Sequence, residues 1–375
     1  MTNLSACNRR RAIQRAIAVT SVGLTSRQSV AEQSSDGFAF ALLGDLHFDK
    51  LEHHDMDWLQ SHKPSDVSQV QNYSANTELR TPKLMASVGK TSKEQACSFT
   101  IQVGDLVEGL CGSEELAQKQ NQAALEFLKQ HHADNPFCFT KGNHDVTGDG
   151  ANDAFRDVFH PFIDAQTKTF EQMKRHAANY HFVFRDSLFC FMDAYDPNSL
   201  GWLEATLASR TSRRCFVVVH PPIVPYGARA TWYLYASDKD RTRRERLLEL
   251  LAKNEAIVLG GHIHRFCNLT REVRSRGRFV QLALSSVIPS ESIDPKTELN
   301  GLNEYTPDQI RVEPSHSPET TEQRRHVYVG ESPFVRSFAY ADMPGHAIVH
   351  VGKDRVAVSL FRGTTATLYR EVDLS

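Results

Sequence analysis

Eight residues, set in short Gly-bounded stretches, have the types that bind transition metals. They are Asp45 and His47 in GDLHFD (44–49), Asp105 in GDLVEG (104–109), and Asn143 and His144 in GNHD (142–145). His220 opens His-Pro-Pro, and His262 and His264 close GGHIH (260–264). Imidazole, carboxylate and amide oxygen suit Zn, Fe, Mn or Ni rather than Cu(I). One tetrahedral ion cannot use so many donors. Two ions sharing a bridging carboxylate can, and such a pair clamps the attacking and leaving oxygens in phosphoryl transfer.

Each stretch follows a run that reads as a buried strand: 38–43, 99–103, 137–140, 215–219 and 256–259. Helical spacing of apolar residues appears between them, over 114–130 and 242–253. Strand alternating with helix predicts an α/β sheet with helices on its faces. Ligands of such sheets gather beyond the carboxyl ends of the strands, where all five polar stretches lie. A hairpin is expected over 181–193, a strand at 279–285, and three more at 347–351, 355–361 and 366–371. Residues 36–375 read as one domain, with irregular insertions at about 50–95 and 289–333 that are longer than ordinary connections.

In this order, the five motifs resemble those of the calcineurin-like metallophosphoesterase superfamily. The resemblance implies an α/β sandwich of two central mixed β-sheets flanked by helices. It implies two divalent transition-metal ions (Mn, Fe, Zn or Ni), one held by Asp45, His47, Asp105 and His264. The other would be held by Asp105, Asn143, His220 and His262, with Asp105 as the bridge. A hydroxide between the metals would attack phosphorus in line, and His144 would protonate the leaving group. Glu108 stands where relatives place a carboxylate that orients this histidine. Purple acid phosphatases place a ferric-binding Tyr there, so that branch's iron site is not expected.

Other residues carry weaker signals. Arg265 directly follows the last ligand and is the candidate for gripping a phosphate, whose geometry suits the guanidinium fork. Arg241, Arg243, Arg244 and Arg246 read as a solvated helix face, and His53 and His54 as exposed loop. Asp145 reads as either a supporting or a structural residue. Asp193 and Tyr195 are candidates for lining the pocket or closing a turn.

The 375-residue chain has 43 Lys plus Arg against 45 Asp plus Glu. That balance hides an asymmetry. Residues 1–31 hold five Arg and no acid, and within them a basic cluster at 9–15 is followed by an apolar stretch at 16–24 and then Ser29-Val30-Ala31, the pattern of an export signal of twin-arginine type. An organellar transit peptide or a plain tail on a cytoplasmic protein are the alternatives. Without this segment 38 basic residues face 45 acidic ones, which argues against nucleic acid as partner. No apolar run is long enough to span a membrane, and seven scattered Cys form no disulfide framework. The expected substrate is a small-molecule or lipid-headgroup phosphate ester, mono- or diester. A nucleotide pyrophosphate hydrolase or an inactive scaffold of the same fold are the alternatives, and oligomeric state is left open.

Overall fold

The computed structural model describes residues 37–132, 134–227, 229–289, 294–307 and 321–375. The expected export signal lies outside the described residues. The chain opens with β1 (Phe38–Leu43), α1 (Met56–His62), α2 (Val67–Leu79), α3 (Thr81–Glu94), β2 (Cys97–Gln102) and α4 (Glu114–His131). Next come β3 (Phe137–Phe139), α5 (Ala151–Thr167), β4 (Glu171–His176), β5 (Asn179–Phe184), β6 (Ser187–Phe191), α6 (Ser199–Ala208) and β7 (Arg214–Val218). They are followed by α7 (Arg241–Lys253), β8 (Ile257–Gly260), β9 (Phe266–Val273), β10 (Gly277–Ala283), β11 (Glu298–Asn300) and α8 (Thr321–Glu331). Four strands end the chain: β12 (Val335–Ala341), β13 (Gly345–Val351), β14 (Val356–Arg362) and β15 (Leu368–Asp373).

These strands form two mixed sheets. One has the order β15-β14-β13-β1-β2-β3 and the other β11-β12-β9-β10-β8-β7-β6-β5-β4. Parallel pairs β6·β7, β7·β8 and β8·β10 sit in the middle of the nine-stranded sheet, and the parallel strands β1, β2 and β3 form one end of the six-stranded sheet, which antiparallel β13, β14 and β15 extend. The central strands read as continuous apolar runs because both of their faces are covered. Alternation survives in which core each residue feeds. In β6 and β7, Phe189, Phe191, Phe216 and Val218 face the other sheet, while Leu188, Cys190, Cys215 and Val217 pack towards α6 and α7.

Phenylalanines join the sheets. Phe40 stacks on Phe99 at 5.2 Å and meets Phe189 and Phe216 edge-on at 5.5 and 5.6 Å. Phe189 in turn stacks on Phe216 at 4.7 Å. Stacked and edge-on rings add to the burial itself. At the end of the sandwich nearest the motifs, the Gly44 amide donates to Ser286 Oγ, which donates to the Gly345 carbonyl. One serine thus pins the first ligand loop to strands of both sheets.

The segment 50–95, expected to be irregular, holds α1, α2 and α3 instead. Polar and apolar residues share the buried faces of α2 and α3, so apolar periodicity is weak. The buried face of α3 includes Ser87, Thr91 and Ser92 beside Leu84, Met85 and Val88, and α2 buries Val70 and Thr77. Local signals do mark the boundaries: Asp55 caps α1 through the Trp58 amide, and Pro82 opens α3. The segment 289–333 likewise contains β11 and α8. α8 is tied down by Glu331, which accepts from Arg244 (2.5 Å) and Arg271 (2.8 Å) in a half-buried fork. Among the described residues, no helix is long and apolar enough to cross a membrane.

The aromatic seam sets an expected cost for disrupting the fold. Phe99 is fully buried and touches rings from both sheets. Phe99→Ala should destabilise the protein by about 3–5 kcal/mol, read by urea unfolding. A loss below about 1 kcal/mol would show that the seam does not hold the sheets together.

Candidate metal centre

All five motif loops leave the carboxyl ends of parallel strands: Asp45 and His47 after β1, Asp105 after β2, Asn143 and His144 after β3, His220 after β7, and His262 and His264 after β8. To aim inward, four of these residues take left-handed backbone: His47 (φ 47°), Asp105 (φ 55°), His262 (φ 72°) and His264 (φ 56°). Such conformations cost energy in non-glycine residues and persist where the surroundings enforce them. Two glycines allow the loops to approach closely. A Cβ on Gly142 would lie 2.1 Å from the Asp105 amide nitrogen and from its Oδ1, and one on Gly261 would lie 2.6 Å from Asp45 Oδ2.

The structure brings the sequence-derived donors together as two sets that share Asp105. In the first, ligand atoms of Asp45, His47, Asp105 and His264 lie within 4.8 Å of one another, and in the second the same holds for Asp105, His220 and His262. Asn143 Oδ1 joins the second set, 2.9 Å from His262 Nδ1 and 3.1 Å from His220 Nε2. His220 Nε2 is 3.0 Å from Asp105 Oδ2, and its Nδ1 donates to the Val103 carbonyl. Two pairs of imidazole nitrogens face each other, His47 with His264 at 2.9 Å and His220 with His262 at 3.2 Å. Nitrogens aimed at one point beside buried carboxylates fit a cation between them.

Electrostatics show the strain of this packing. Burial disfavours charge on His47, yet the hydrogen bond and charge of Glu108 outweigh it and lift its pKa to about 9. Burial likewise opposes charge on His220, and Asp105 overcomes it, again lifting the pKa to about 9. Burial and the neighbouring His220 push His262 down to about 3. Asp45 is raised by burial, with the Asp105 charge adding to it and His220 pulling the other way. Burial also acts against the Asp105 carboxylate, but His220 and His144 hold it well below the usual range.

Asp145 is the latch of the centre. Its carboxylate accepts from the amides of Asp105 (3.0 Å), Leu106 (2.9 Å), Val107 (3.0 Å) and Gly142 (2.8 Å), so it binds the second loop to the third. Glu108 is shared. Its Oε2 lies 2.6 Å from His47 Nδ1 and 3.3 Å from His144 Nδ1, while Oε1 accepts from Gln69 at 2.8 Å. His144 Nδ1 has its shorter contact, 2.8 Å, with the Glu108 backbone carbonyl. The carboxylate therefore orients His47 first, a carboxylate–histidine arrangement that fixes a ligand's tautomer.

Other sequence-level expectations take different places. Arg265 donates from Nη1 to the His264 carbonyl at 2.8 Å, so this bond steadies the last ligand loop. Arg244 pairs with Glu331, Arg246 with Glu204, Arg241 with Asp238, and Arg243 covers the Tyr235 ring at 4.3 Å. His53 and His54 are buried rather than exposed. His54 Nε2 lies 2.7 Å from Asp49, which also accepts from Gln120 (2.8 Å) and Ser74 (2.7 Å) behind the first ligand loop. Asp193 forms a buried 2.6 Å ion pair with Lys141 and accepts from the Tyr195 amide.

Four residues at the centre escaped the sequence reading. Gln69 and Tyr73 come from α2, and Tyr73 stacks on His47 at 4.3 Å. Trp232 lies 5.6 Å from the His262 ring, with Arg229 stacked 4.3 Å over it. Gln69, Tyr73 and Thr77 recur every four residues, and Thr77 Oγ1 accepts from the Asp49 amide. That spacing was the available signal, had 50–95 been read as helical.

Known proteins share this architecture. A dimetal phosphatase from Danio rerio is 13% identical, with a TM-score of 0.52 over 90% of this chain and 98% of that one. A purple acid phosphatase from yellow lupin (Lupinus luteus) seeds is 10% identical, with a TM-score of 0.50 over 91% of this chain and 54% of its own. PhoD is 12% identical, with a TM-score of 0.50 over 90% of this chain and 68% of that one. At such identities these likenesses concern the fold. No curated protein matches the sequence. The model of the family described as calcineurin-like phosphoesterase matches residues 38–266, which span β1 to the start of β9 and contain every donor named above. On that match over more than half of its length, the chain belongs to the calcineurin-like phosphoesterase family.

Proposed function

We propose that the protein is a dinuclear metal-dependent hydrolase of phosphate esters. One observation carries the reading: two buried donor sets meet at a shared carboxylate, Asp105, at the strand ends. Asp45, His47, Asp105 and His264 would hold one ion, and Asp105, Asn143, His220 and His262 the other. When bound, two divalent transition-metal ions supply Lewis acidity and an ionised water at neutral pH. The donor set is complete, which favours an enzyme over an inactive scaffold.

The chain's own residues supply the rest. The Glu108 carbonyl, at 2.8 Å, takes the Nδ1 proton of His144 and leaves Nε2 as the other proton-carrying atom. The Glu108 carboxylate lies 3.3 Å from the same nitrogen, and as an imidazolium the ring can donate from Nε2 to a departing alkoxide. Unlike His47, whose side chain is fully enclosed, His144 has a fifth of its side chain open to solvent, so an ester can reach it. Asp145 keeps Asp105 and His144 in register, because Asp105 Oδ1 accepts the His144 amide at 2.8 Å.

Three outcomes are expected. Asp105→Ala removes both metals and activity together, a loss beyond the 10–100-fold typical of supporting groups. Metal analysis alongside turnover of an aryl phosphate checks this, and retained metal with retained activity refutes the shared site. His144→Ala keeps both metals and slows esters by about 10²–10⁴-fold, most for poor leaving groups; equal loss across a leaving-group series argues against proton donation. Since His47 and His220 hold protons up to about pH 9 in the metal-free protein, metal binding at pH 7 releases protons and weakens as pH falls. Calorimetry in buffers of different ionisation enthalpy measures that release, and zero release would contradict ligation by these imidazoles.

A further inference from the structure

Two groups beside the centre have no part in the roles above. Tyr73 reaches over from α2, its ring stacked on His47 with planes 12° apart and edge-on to His264 at 6.4 Å. The segment after the His-Pro-Pro loop supplies the second group, Arg229, whose guanidinium covers the Trp232 ring 5.6 Å from His262. Tyr73 thus covers ligands of the first donor set, and the Arg229–Trp232 stack stands beside a ligand of the second. His47 and His262 belong to donor sets that share Asp105, so the two groups border one centre. The phenol hydroxyl of Tyr73 is a hydrogen-bond donor. Among the described residues that hydroxyl makes no hydrogen bond.

We infer that Tyr73 and Arg229 form an anion clamp for a phosphoryl oxygen, and that this clamp selects phosphomonoesters over diesters. The inference rests on the phosphate-ester reading above. A bound monoester presents three non-bridging oxygens and up to two negative charges. A diester presents two such oxygens, one charge and a second organic group. A cation and a neutral donor bordering the two donor sets complement the additional charged oxygen of the monoester. A diester would set carbon against the Tyr73 hydroxyl and leave that donor unpaired, a mismatch that sites built for hydrogen bonding reject strongly. The source of Tyr73 is consistent with a selective role, because α2 belongs to the connection between β1 and β2 rather than to either sheet.

The test uses the metal-loaded protein with Tyr73→Phe, which keeps the ring stack, Arg229→Gln, and Arg229→Lys, which keeps the charge. Turnover of p-nitrophenyl phosphate and bis(p-nitrophenyl) phosphate is compared, and inorganic phosphate affinity is measured by calorimetry. Tyr73→Phe and Arg229→Gln should each cut kcat/KM for the monoester by about 10–100-fold, the size of a hydrogen bond to a charged group. Diester turnover should hold or rise, phosphate should bind correspondingly more weakly, and Arg229→Lys should recover part of both losses. Equal losses on the two esters, or unchanged phosphate affinity in Tyr73→Phe and Arg229→Gln, overturn the clamp. Wild-type protein that turns over neither ester would instead defeat the phosphoesterase reading, and the phosphate titration would still decide the clamp.

Discussion

Asp45 and Asp105 are buried side by side, and much of the molecule serves to make that placement tolerable. An isolated carboxylate in a protein interior neutralises or finds partners, because burial without compensation costs several kcal/mol. Here the partners are backbone amides and imidazoles. Asp45 accepts the His262 amide, Asp105 accepts the His144 amide, and His220 lies against both acids. These bonds join loops that are far apart in the chain, so the charge problem is solved by tertiary structure. Two divalent cations would complete the compensation, held by the close imidazole pairs.

Holding five loops to this precision requires a rigid base. The two sheets supply it by clamping their central strands face to face through Phe40, Phe99, Phe189 and Phe216. Close packing of this kind transmits displacement rather than absorbing it. Behind the loops, a second polar layer repeats the same idea. Asp145 gathers four amides, and Gln120 spans the first two loops by donating to Asp49 and accepting from the Gly109 amide. Left-handed backbone at four donor residues is the local cost of aiming every ligand at one place.

Around this base, a helix and a loop segment supply the surroundings of the centre. α2 sets Gln69 and Tyr73 against the first donor set, and Arg229 and Trp232 stand at the second. The arginines of α7 hold the intervening segment: Arg244 donates to the carbonyls of Ile223 and Leu234 and stacks on Tyr233 at 4.2 Å. A basic helix face that looked solvated is thus partly structural. It supports the wall beside the donor sets from behind.

The sequence by itself determined the fold class, the central strands and the candidate donor residues at their ends. Each of these is written locally: apolar runs specify buried strands, and Gly-Asp, Asn-His and Gly-His-x-His mark the turns at their ends. Strands β4, β9, β11 and β12 were not legible: β4 and β11 are sheet edges, and charged residues such as Arg271, Glu272 and Arg336 interrupt the pattern of β9 and β12. Helices α1 to α3 escaped for a related reason, since polar residues such as Thr77, Ser87, Thr91 and Ser92 interrupt the apolar pattern of α2 and α3, and α1 buries Leu59 alone. Tertiary structure alone decided that Glu108 turns first to His47, that Arg265 binds the carbonyl beside it, and that Tyr73 and Arg229 meet the centre. Those outcomes depend on which side chains become neighbours after loops distant in sequence are packed together, and hydrogen-bond geometry between such loops has no local signature.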